Sequence, residues 1–507
     1  MLESGILYKI FAYHKESPLF FNSIYFWIFF TLVFAVFSIF YRNKILRNTY
    51  LFIISLFFYY KSGGFFFFLL IISTLVDYSV GLKIHNTYSN FKRKLWLVVS
   101  LFVNLGMLGY YKYAEFIVRS INDVFKTDLL AYDIFASFSN VLFNSNFNTT
   151  DIFLPIGISF FTFQTISYTV DVYRNKVDPV RNILDFGFYV SFFPQLVSGP
   201  IVRASEFVPQ LYKDYKISAN QAGHAFFLIL KGLIKKIAVA DFIAVNFIDR
   251  VFESPTSFTG IENLLSVYAY SLQIYCDFSG YTDIAIGVGL LFGFRLPVNF
   301  NSPYKASGLR DFWRRWHISL SRWLRDYLYV PLGGNRKGSF RTNINLMITM
   351  LLGGLWHGAH IRFIIWGGIH GLGLVIGRMF RNSFNNTIRK NKFIKVISVI
   401  FTFHLVTLAW IFFRAHNIDA ALAMFYQMFN QFNASFLLEF AAANQLILIV
   451  LIIGFVIHWL PAWIKERYRG WFVNQNLVVQ GIISVIIVFL LYQVHTSEIQ
   501  PFIYFQF

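Results

Sequence analysis

The stretch LLGGLWHGAHIRFIIWGGIHG, residues 351–371, places three histidines inside an apolar, glycine-rich part of the chain. An imidazole within a membrane span is costly and marks a functional site by default. The stretch belongs to an apolar segment at 343–378, which is too long for one simple crossing at about 1.5 Å per residue. We therefore expect two spans, a tilted span or a re-entrant segment here, and the same holds for 263–294.

The composition of the whole chain agrees with a membrane location. Of its 507 residues, 56% are hydrophobic and only 14% are charged, whereas soluble domains carry about 25% charged residues. Apolar runs of about 20 residues recur along the chain, and each is long enough to cross a bilayer. The sequence therefore predicts an all-α polytopic membrane protein whose helices form one bundle.

The formal net charge of +19 does not indicate a nucleic-acid-binding protein. The lysines and arginines lie in short loops between apolar runs, which is typical of the positive-inside rule, and they form no basic face of a soluble domain. We expect the cytoplasmic loops to be those near 42–47, 83–94, 305–341 and 378–395, the last with Arg378, Arg381, Arg389, Lys390, Lys392 and Lys395. The polar, Asn-rich segment 121–151 is expected on the outside.

The sequence lacks the features of a cleavable signal peptide, an intramolecular disulfide and a metal site. Residues 1–20 have neither the basic start nor the compact apolar core of a cleavable signal peptide, so the first span is expected to act as the anchor. A single cysteine, Cys276, excludes an intramolecular disulfide and a cysteine-based metal cluster. His357 and His360 have the spacing of metal ligands, but no Cys, Asp or Glu lies in the adjoining segments, and we predict no metal site.

A second histidine-bearing stretch, DFWRRWHISLSRWLRDYLYVPLGGNRKG at 311–338, combines indoles with arginines. Its apolar residues recur at helical spacing, with the arginines opposite and His317 at the edge; the apolar set is Trp313, Trp316, Leu320, Trp323, Leu324 and Tyr327. This pattern predicts a helix lying in the membrane interface, in which the histidine is incidental. The pattern alone does not assign His317 a functional role.

Two acids interrupt the apolar segment SLQIYCDFSGYTDIAIGVG at 271–289, namely Asp277 and Asp283, with Tyr281 between them. Buried acids need partners, and the nearby sequence ILKGLIKKIAVAD at 229–241 offers Lys231, Lys235 and Lys236. We expect ion pairing to be their role rather than direct catalysis.

Several ordered motifs together resemble the membrane-bound O-acyltransferase family, specifically its bacterial alginate O-acetyltransferase branch. They are LPIGISFFTFQTISYTVDVYR (154–174), SFFPQLVSGPIVR (191–203), YCDFSGYTDIAIGVGLLFGFRLPVNFNSPY (275–304), the stretch 311–338, GLWHG (354–358) and WIFFRA (410–415). The resemblance covers about residues 40–415, while 416–507 match only as further membrane spans. We expect residues 1–507 to form a single integral-membrane domain.

The resemblance implies a ring of about 11–13 transmembrane or re-entrant helices around a thinned centre. It implies that His357 is the catalytic base and that His317 is a second essential residue nearer the cytoplasm. A neutral imidazole suits the deprotonation of an acceptor hydroxyl. Further candidates for contact with substrate or channel are Trp316, Trp356, Arg314, Arg315, Ser319, Asp277 and Tyr281.

The same resemblance implies acetyl transfer from a cytoplasmic donor such as acetyl-CoA, which a basic loop would attract. The acetyl group would cross the cytoplasmic (inner) membrane, and an extracytoplasmic acetyltransferase or esterase-like partner would acetylate a polysaccharide. The sequence has no G-x-S-x-G nucleophile elbow of its own. Two alternatives stay open: D-alanyl transfer to teichoic acid from a carrier-protein thioester, and a proton-coupled transporter using His357 and Asp277, although the internal repeats typical of transporters are absent.

Overall fold

The fold was analysed in a computed structural model, which describes residue 13, residues 19–143, 148–150, 152–197, 199–380 and 391–494, and residue 503. The signal-peptide expectation falls mainly on residues 1–12 and 14–18, which lie outside this description, as do Arg381, Arg389 and Lys390. Within the described ranges the regular elements are all helical, so the all-α prediction is confirmed.

The first half of the chain forms eleven described α-helices. They are α1 (Ile24–Phe40), α2 (Lys44–Gly63), α3 (Phe67–Asn86), α4 (Asn90–Leu108), α5 (Ala114–Phe125), α6 (Ile134–Phe143), α7 (Ile158–Tyr173), α8 (Ile183–Ser191), α9 (Phe193–Leu196), α10 (Ala204–Leu211) and α11 (Ala219–Leu233). A π-helical turn at Gly109–Tyr113 joins α4 to α5, and two more, Ile234–Asp241 and Ala244–Ile248, extend α11.

The second half begins with two short helical turns and a long central helix. Its described helices are α12 (Asp249–Glu253), α13 (Gly260–Leu291), α14 (Leu309–Trp313), α15 (Ile318–Trp323), α16 (Gly338–His357), α17 (Ile361–Met379), α18 (Lys392–Arg414), α19 (Ile418–Asn430), α20 (Phe436–Ala443), α21 (Gln445–Trp459), α22 (Ala462–Val473) and α23 (Leu477–Val494). A π-helical turn at Leu324–Tyr329 continues α15.

Five described helical segments are long and apolar enough to cross a membrane, and a bent pair, α20 with α21, would make a sixth. The five are Lys44–Asn86, Asn90–Phe125, Ile361–Met379, Lys392–Arg414 and Leu477–Val494. The chain is therefore a multi-pass membrane protein. The two apolar segments that are too long for one simple crossing differ in structure. The segment at 263–294 belongs to one 32-residue helix, α13. The segment at 343–378 forms two helices, α16 and α17, and the break between them follows His357.

Asp277 and Asp283 of α13 pair with lysines of α11 and of the π-helical turn Ile234–Asp241 that extends it. The ion pairs are Lys231–Asp283 at 3.0 Å, Lys235–Asp283 at 2.7 Å, Lys236–Asp277 at 2.5 Å and Lys236–Asp241 at 2.7 Å. The lysine partners expected for both acids are thus confirmed. Since unpaired charges are costly in a membrane interior, these pairs lock α13 against its neighbour.

One face of the bundle gathers the basic ends of several helices. Lys44 at the start of α2 pairs with Asp214 at 2.9 Å, and Arg93 near the start of α4 donates to the Tyr173 carbonyl at the end of α7. The α16 helix also begins beside basic residues, Arg336 and Lys337. The positive-inside rule predicts that this face lies at the cytoplasm.

The opposite ends of α4 and α16 meet far from that basic face. Each helix has about 20 residues and therefore rises about 30 Å along its axis. The π-helical turn Gly109–Tyr113 follows α4, and His357 ends α16. Contacts between these two ends, described below, place His357 at the end of its helix remote from the basic loop.

The prediction of an interfacial helix at 313–327 is wrong. The segment is broken: α14 ends at Trp313, the chain turns, and α15 starts after His317. Its apolar stripe faces protein, because Trp316, Leu320 and Trp323 are buried among other side chains. A stripe at helical spacing predicts an apolar contact surface. Here Trp323 meets α7 and Trp316 meets Phe300 and Trp410, so the stripe contacts protein rather than lipid headgroups.

Candidate active site

His317 sits at the break between α14 and α15 in a backbone conformation unusual for a residue with a side chain. Its φ is +42°, in the left-handed region, and it is fully buried. Such a conformation costs free energy for a non-glycine residue and persists only where the surroundings impose it. The turn directs the imidazole into the protein interior.

Asn299 is the residue that imposes the turn. Its side-chain Oδ1 accepts from the Ser319 backbone N at 3.0 Å and from the Ser319 Oγ at 2.9 Å. The same oxygen lies 3.3 Å from His317 Nδ1. Because an amide oxygen can only accept, the geometry assigns the ring proton to Nδ1 and leaves Nε2 as the lone-pair nitrogen.

Ser319 ties this turn to another motif of the chain. Its Oγ accepts a hydrogen bond from the Ile201 backbone N at 3.0 Å. The motif at 191–203 and the motif at 275–304, which contains Asn299, therefore both contact the turn that holds His317. This is a physical reason for three separate sequence motifs to occur together.

His357 ends α16 and is 3% exposed. Two glycines allow α16 and α17 to approach closely at this level: a Cβ on Gly354 would collide with the Phe363 carbonyl, and one on Gly367 with the Met350 carbonyl. The break after His357 therefore lies in a tightly packed helical hairpin. Close packing fixes the position of the imidazole.

The two imidazoles lie close together. Their ring centroids are 6.5 Å apart. His317 packs edge-on against Phe278 at 4.7 Å, and His357 packs against Trp366 and Phe413, each at 5.2 Å. Trp356 touches both rings, at 6.1 Å from His317 and 5.0 Å from His357.

This arrangement can support proton transfer to or from a small group. A hydroxyl placed between the two imidazoles would come within hydrogen-bond reach of a neutral ring nitrogen, as general base catalysis requires. The aromatic walls exclude water, which strengthens electrostatic interactions inside the site. Among the described residues no group of three or more His, Cys, Asp or Glu side chains could hold a metal ion.

The other predicted site residues divide into two sets. Ser319 and Trp356 lie at the histidine pair. Trp316 instead packs in a neighbouring aromatic stack against Phe300 at 5.1 Å and Trp410 at 5.0 Å.

The charged candidates lie away from the histidine pair. Arg314 is exposed, and Arg315 donates to Asp311 at 3.0 Å. Asp277 belongs to the ion-pair cluster around Lys236, and the Tyr281 ring stacks on Phe21 at 4.4 Å. The described contacts do not bring these four residues to the imidazoles.

The remaining histidines of the opening stretch have separate environments. His360 is the N-cap of α17, where its Nδ1 accepts from the Arg362 backbone N at 3.3 Å. His370 is buried one layer further along α17, and its ring lies 4.7 Å from Trp366 and 5.3 Å from Trp313. Neither contacts His317 in the described structure.

Sequence reasoning missed Asn299, Trp366 and Phe413. Asn299 lies within a quoted motif, PVNFNSPY, but nothing local distinguishes it from Asn301 two residues later. Trp366 lies on α17, the helix that follows His357 in the chain, whereas Phe413 comes from a helix that starts more than thirty residues later. Only the fold brings it to the site.

A cleft of about 780 Å³ opens beside the His317 turn. Its lining includes Ile318, which follows His317, and Phe300, which packs on Phe278 at 5.0 Å. Two exposed arginines, Arg295 and Arg322, also line it. A hydrogen bond from Gln210 to the Arg295 carbonyl, at 3.1 Å, links this wall to α10, close to the basic face of the bundle.

Comparison with known proteins agrees with the motifs. The family model of the membrane-bound O-acyltransferases (MBOAT) matches residues 177–415. A peptidoglycan O-acetyltransferase of Helicobacter pylori is 38% identical over 410 residues, which are 75% of this chain and 73% of the relative. A probable alginate O-acetylase AlgI of Pseudomonas putida is 42% identical over 358 residues, 70% of this chain and 69% of the relative.

A more distant relative is the teichoic acid D-alanyltransferase of Bacillus subtilis. It is 29% identical over 277 residues, which cover 51% of this chain and 68% of the relative. The matches at 38% and 42% identity each extend over more than two thirds of the relative. The chain therefore belongs to the membrane-bound O-acyltransferase family and is an O-acyltransferase.

Proposed function

We propose that this chain transfers an acetyl group from cytoplasmic acetyl-CoA for the O-acetylation of a polysaccharide outside the cytoplasmic (inner) membrane. In this proposal His357 is the general base that accepts a proton from the acceptor hydroxyl. His317 is the second essential imidazole, with its Nδ1 held 3.3 Å from Asn299 Oδ1. The observation that carries the proposal is the pair of buried imidazoles 6.5 Å apart within aromatic walls.

The roles of the two histidines follow from their positions. The His317 turn adjoins the cleft on the basic side, whereas His357 ends a helix that starts at that side. A donor entering from the cytoplasm would thus reach His317 first. An acceptor approaching from the other side would reach His357, as a base acting on the acceptor requires.

The cleft supports a phosphate-bearing thioester as the donor. Arg295 and Arg322 provide guanidinium groups, which bind phosphate oxygens in bidentate fashion. Phe300 and Ile318 offer apolar surface at the inner end, next to the His317 turn. An extended ligand could place its phosphates at the arginines and its acyl end toward the imidazoles.

The acceptor and the partner are proposed from the relatives. The Helicobacter pylori relative is named a peptidoglycan O-acetyltransferase and the Pseudomonas putida relative a probable alginate O-acetylase, so a glycan acceptor is favoured. The chain has no serine nucleophile elbow. We therefore propose that an extracytoplasmic acetyltransferase or esterase-like protein completes the transfer.

The catalytic role of His357 is tested with two variants of the full-length protein, His357→Gln and His357→Ala. Each is expected to lower acetyl transfer by at least about 100-fold, since positioned general bases contribute about 10²–10⁴-fold. The measurement has two arms: acetyl content of the host's surface glycan by NMR or mass spectrometry, and loss of labelled acetyl from acetyl-CoA added to inverted membrane vesicles.

His360→Asn is the matched control, because Asn preserves the N-cap of α17 and His360 lies three residues from the proposed base. It should retain activity. Normal glycan acetylation by a well-expressed His357→Ala protein would refute the catalytic assignment. Transfer of D-alanine from a carrier-protein thioester, with no use of acetyl-CoA, would instead support the D-alanyl alternative.

A further inference from the structure

The helix that carries His357 ends inside the protein, where its last carbonyl groups need partners. The final four carbonyls of any α-helix have no intrahelical donor. At an exposed helix end water can satisfy them, but at a buried helix end other groups of the protein must supply the donors. For α16 these are the carbonyls of residues 354–357.

Two consecutive side chains from a different helix bind three of these carbonyls. The Lys112 Nζ donates to the Trp356 carbonyl at 2.6 Å and to the His357 carbonyl at 3.1 Å. The Tyr113 hydroxyl donates to the Leu355 carbonyl at 2.9 Å. The end of α16 is thus capped by residues more than 240 positions earlier in the chain.

The local backbone explains how two adjacent residues can do this. Lys112 and Tyr113 belong to the π-helical turn Gly109–Tyr113 between α4 and α5. A π-helical turn contains more residues than an α-helical turn, so successive side chains point in more similar directions. Such turns occur frequently at functional sites.

The amino group of Lys112 suits the position, because its N–H donors match the carbonyls, and it would suit it further when protonated. A cation is favourable at a helix C-terminus, where the aligned peptide dipoles leave partial negative charge. Lys112 also lies over the Trp356 indole, with Nζ 5.9 Å from the ring centroid. Because Trp356 contacts both His317 and His357, Lys112 holds the backbone of one histidine and the aromatic wall shared by both.

We propose that Lys112, assisted by Tyr113, is a positioning residue that sets the place of the His357 imidazole. Lys112 itself does not touch substrate. This inference rests on the proposed role of His357 as the base. It predicts a loss of kcat rather than of donor binding, because the cleft beside His317 lies elsewhere and a base displaced by 1 Å can lose about 100-fold in rate.

The experiment compares Lys112→Met with Lys112→Arg in full-length protein, using initial rates of acetyl transfer from acetyl-CoA in inverted vesicles. Lys112→Met removes the donors but keeps a long unbranched side chain. We expect its kcat to fall about 10-fold or more, with KM for acetyl-CoA unchanged within about twofold. Lys112→Arg keeps a cation with several donors and should recover most of the loss.

Lys94→Met is the matched control, since Lys94 is exposed near the start of the same helix. It should behave as the unmodified protein. Tyr113→Phe removes a single hydroxyl and keeps the ring; a kcat about threefold lower at constant KM is expected. Tyr113→Phe therefore decides the question if Lys112→Met does not yield folded protein.

Unchanged kcat in Lys112→Met, or in Tyr113→Phe when only that variant folds, would overturn the positioning role. A rise in KM without a fall in kcat would also overturn it. His357→Gln is measured in the same assay. If His357→Gln is inactive while Lys112→Met is fully active, only the positioning role fails; if His357→Gln is fully active, the proposed catalytic role fails.

Discussion

Asn299 shows how much of the site depends on one side chain. Its Oδ1 binds the backbone and hydroxyl of Ser319 and faces His317 Nδ1, so one amide oxygen stabilises the turn and selects the ring tautomer. Asn299 is fully buried, and no water reaches it to substitute for a lost bond. The left-handed backbone of His317 is therefore expected to relax if this oxygen is removed.

Asn299→Ala is expected to lower acetyl transfer about 10–100-fold, because His317 would lose both its orientation and its fixed proton position. The change also leaves a buried Ser319 N–H without a partner, which costs about 1–3 kcal/mol of stability. Both effects are checked by transfer rates and by thermal denaturation in detergent. Asn430→Ala, at the exposed end of α19, serves as the control; wild-type rates in Asn299→Ala would contradict the assignment.

At the residue scale, sequence reasoning found the histidines because a charged or polar side chain in an apolar segment is conspicuous. His357 was identified in this way, whereas His317 was assigned a role only by the resemblance to the family. Lys112 and Asn299 were not identified as site residues. In the sequence, Lys112 is one more polar residue near the end of an apolar segment. Its proposed positioning role depends on which carbonyl groups lie opposite its side chain in the fold.

At the scale of single elements, α15 and its π-helical turn lie in a place that their sequence pattern did not predict. Trp323 stacks on Phe163 with ring centroids 3.7 Å apart, and its Nε1 donates to the Phe163 carbonyl at 2.8 Å. Tyr327 donates to Asp171 at 2.6 Å. These contacts place the element along α7, whereas the sequence pattern predicted a helix in the membrane interface.

Trp323→Ala should destabilise the protein by about 3–5 kcal/mol, the usual cost of truncating a buried large aromatic side chain. The loss includes the stacking on Phe163 and the indole hydrogen bond. It is measured as a lower denaturation temperature of the purified protein in detergent. Trp471→Ala, at a residue 57% exposed, should change stability little; equal effects of the two substitutions would show that α15 does not rely on this contact.

At the scale of the whole molecule, residues after 415 pack on the motif-bearing part. His458 Nε2 accepts from the Tyr304 backbone N at 3.3 Å, and Lys465 donates to the Ser302 hydroxyl at 3.1 Å. The Ile503 backbone N donates to Asp277 at 2.8 Å. These contacts support our proposal that residues 1–507 form a single domain.

A chain truncated after Ala415 is therefore expected to lose folding, because it removes partners of Tyr304, Ser302 and Asp277 in the interior. Its yield from detergent extracts and its elution on size exclusion would be compared with those of the full-length protein. Aggregation or degradation is the expected outcome. A monodisperse truncated protein with normal acetyl transfer would show that the later helices are separable.

The sequence by itself determined the class of the protein and its chemistry. Low charge content and repeated apolar runs predicted membrane helices, basic loops predicted their orientation, and ordered motifs indicated an O-acyltransferase. It also predicted the lysine partners of Asp277 and Asp283. Each of these follows from composition, from short sequence motifs or from the charges that apolar segments carry.

Tertiary structure alone decided which residues surround the histidines. The break at His317, the capping of α16 by Lys112 and Tyr113, and the aromatic wall with Trp366 and Phe413 join segments that are distant in sequence. A helical pattern predicts which face of a helix is apolar, but it does not predict which other element packs against that face. The partner is selected by the packing of all the helices together, because every buried carbonyl and charge must be satisfied at once.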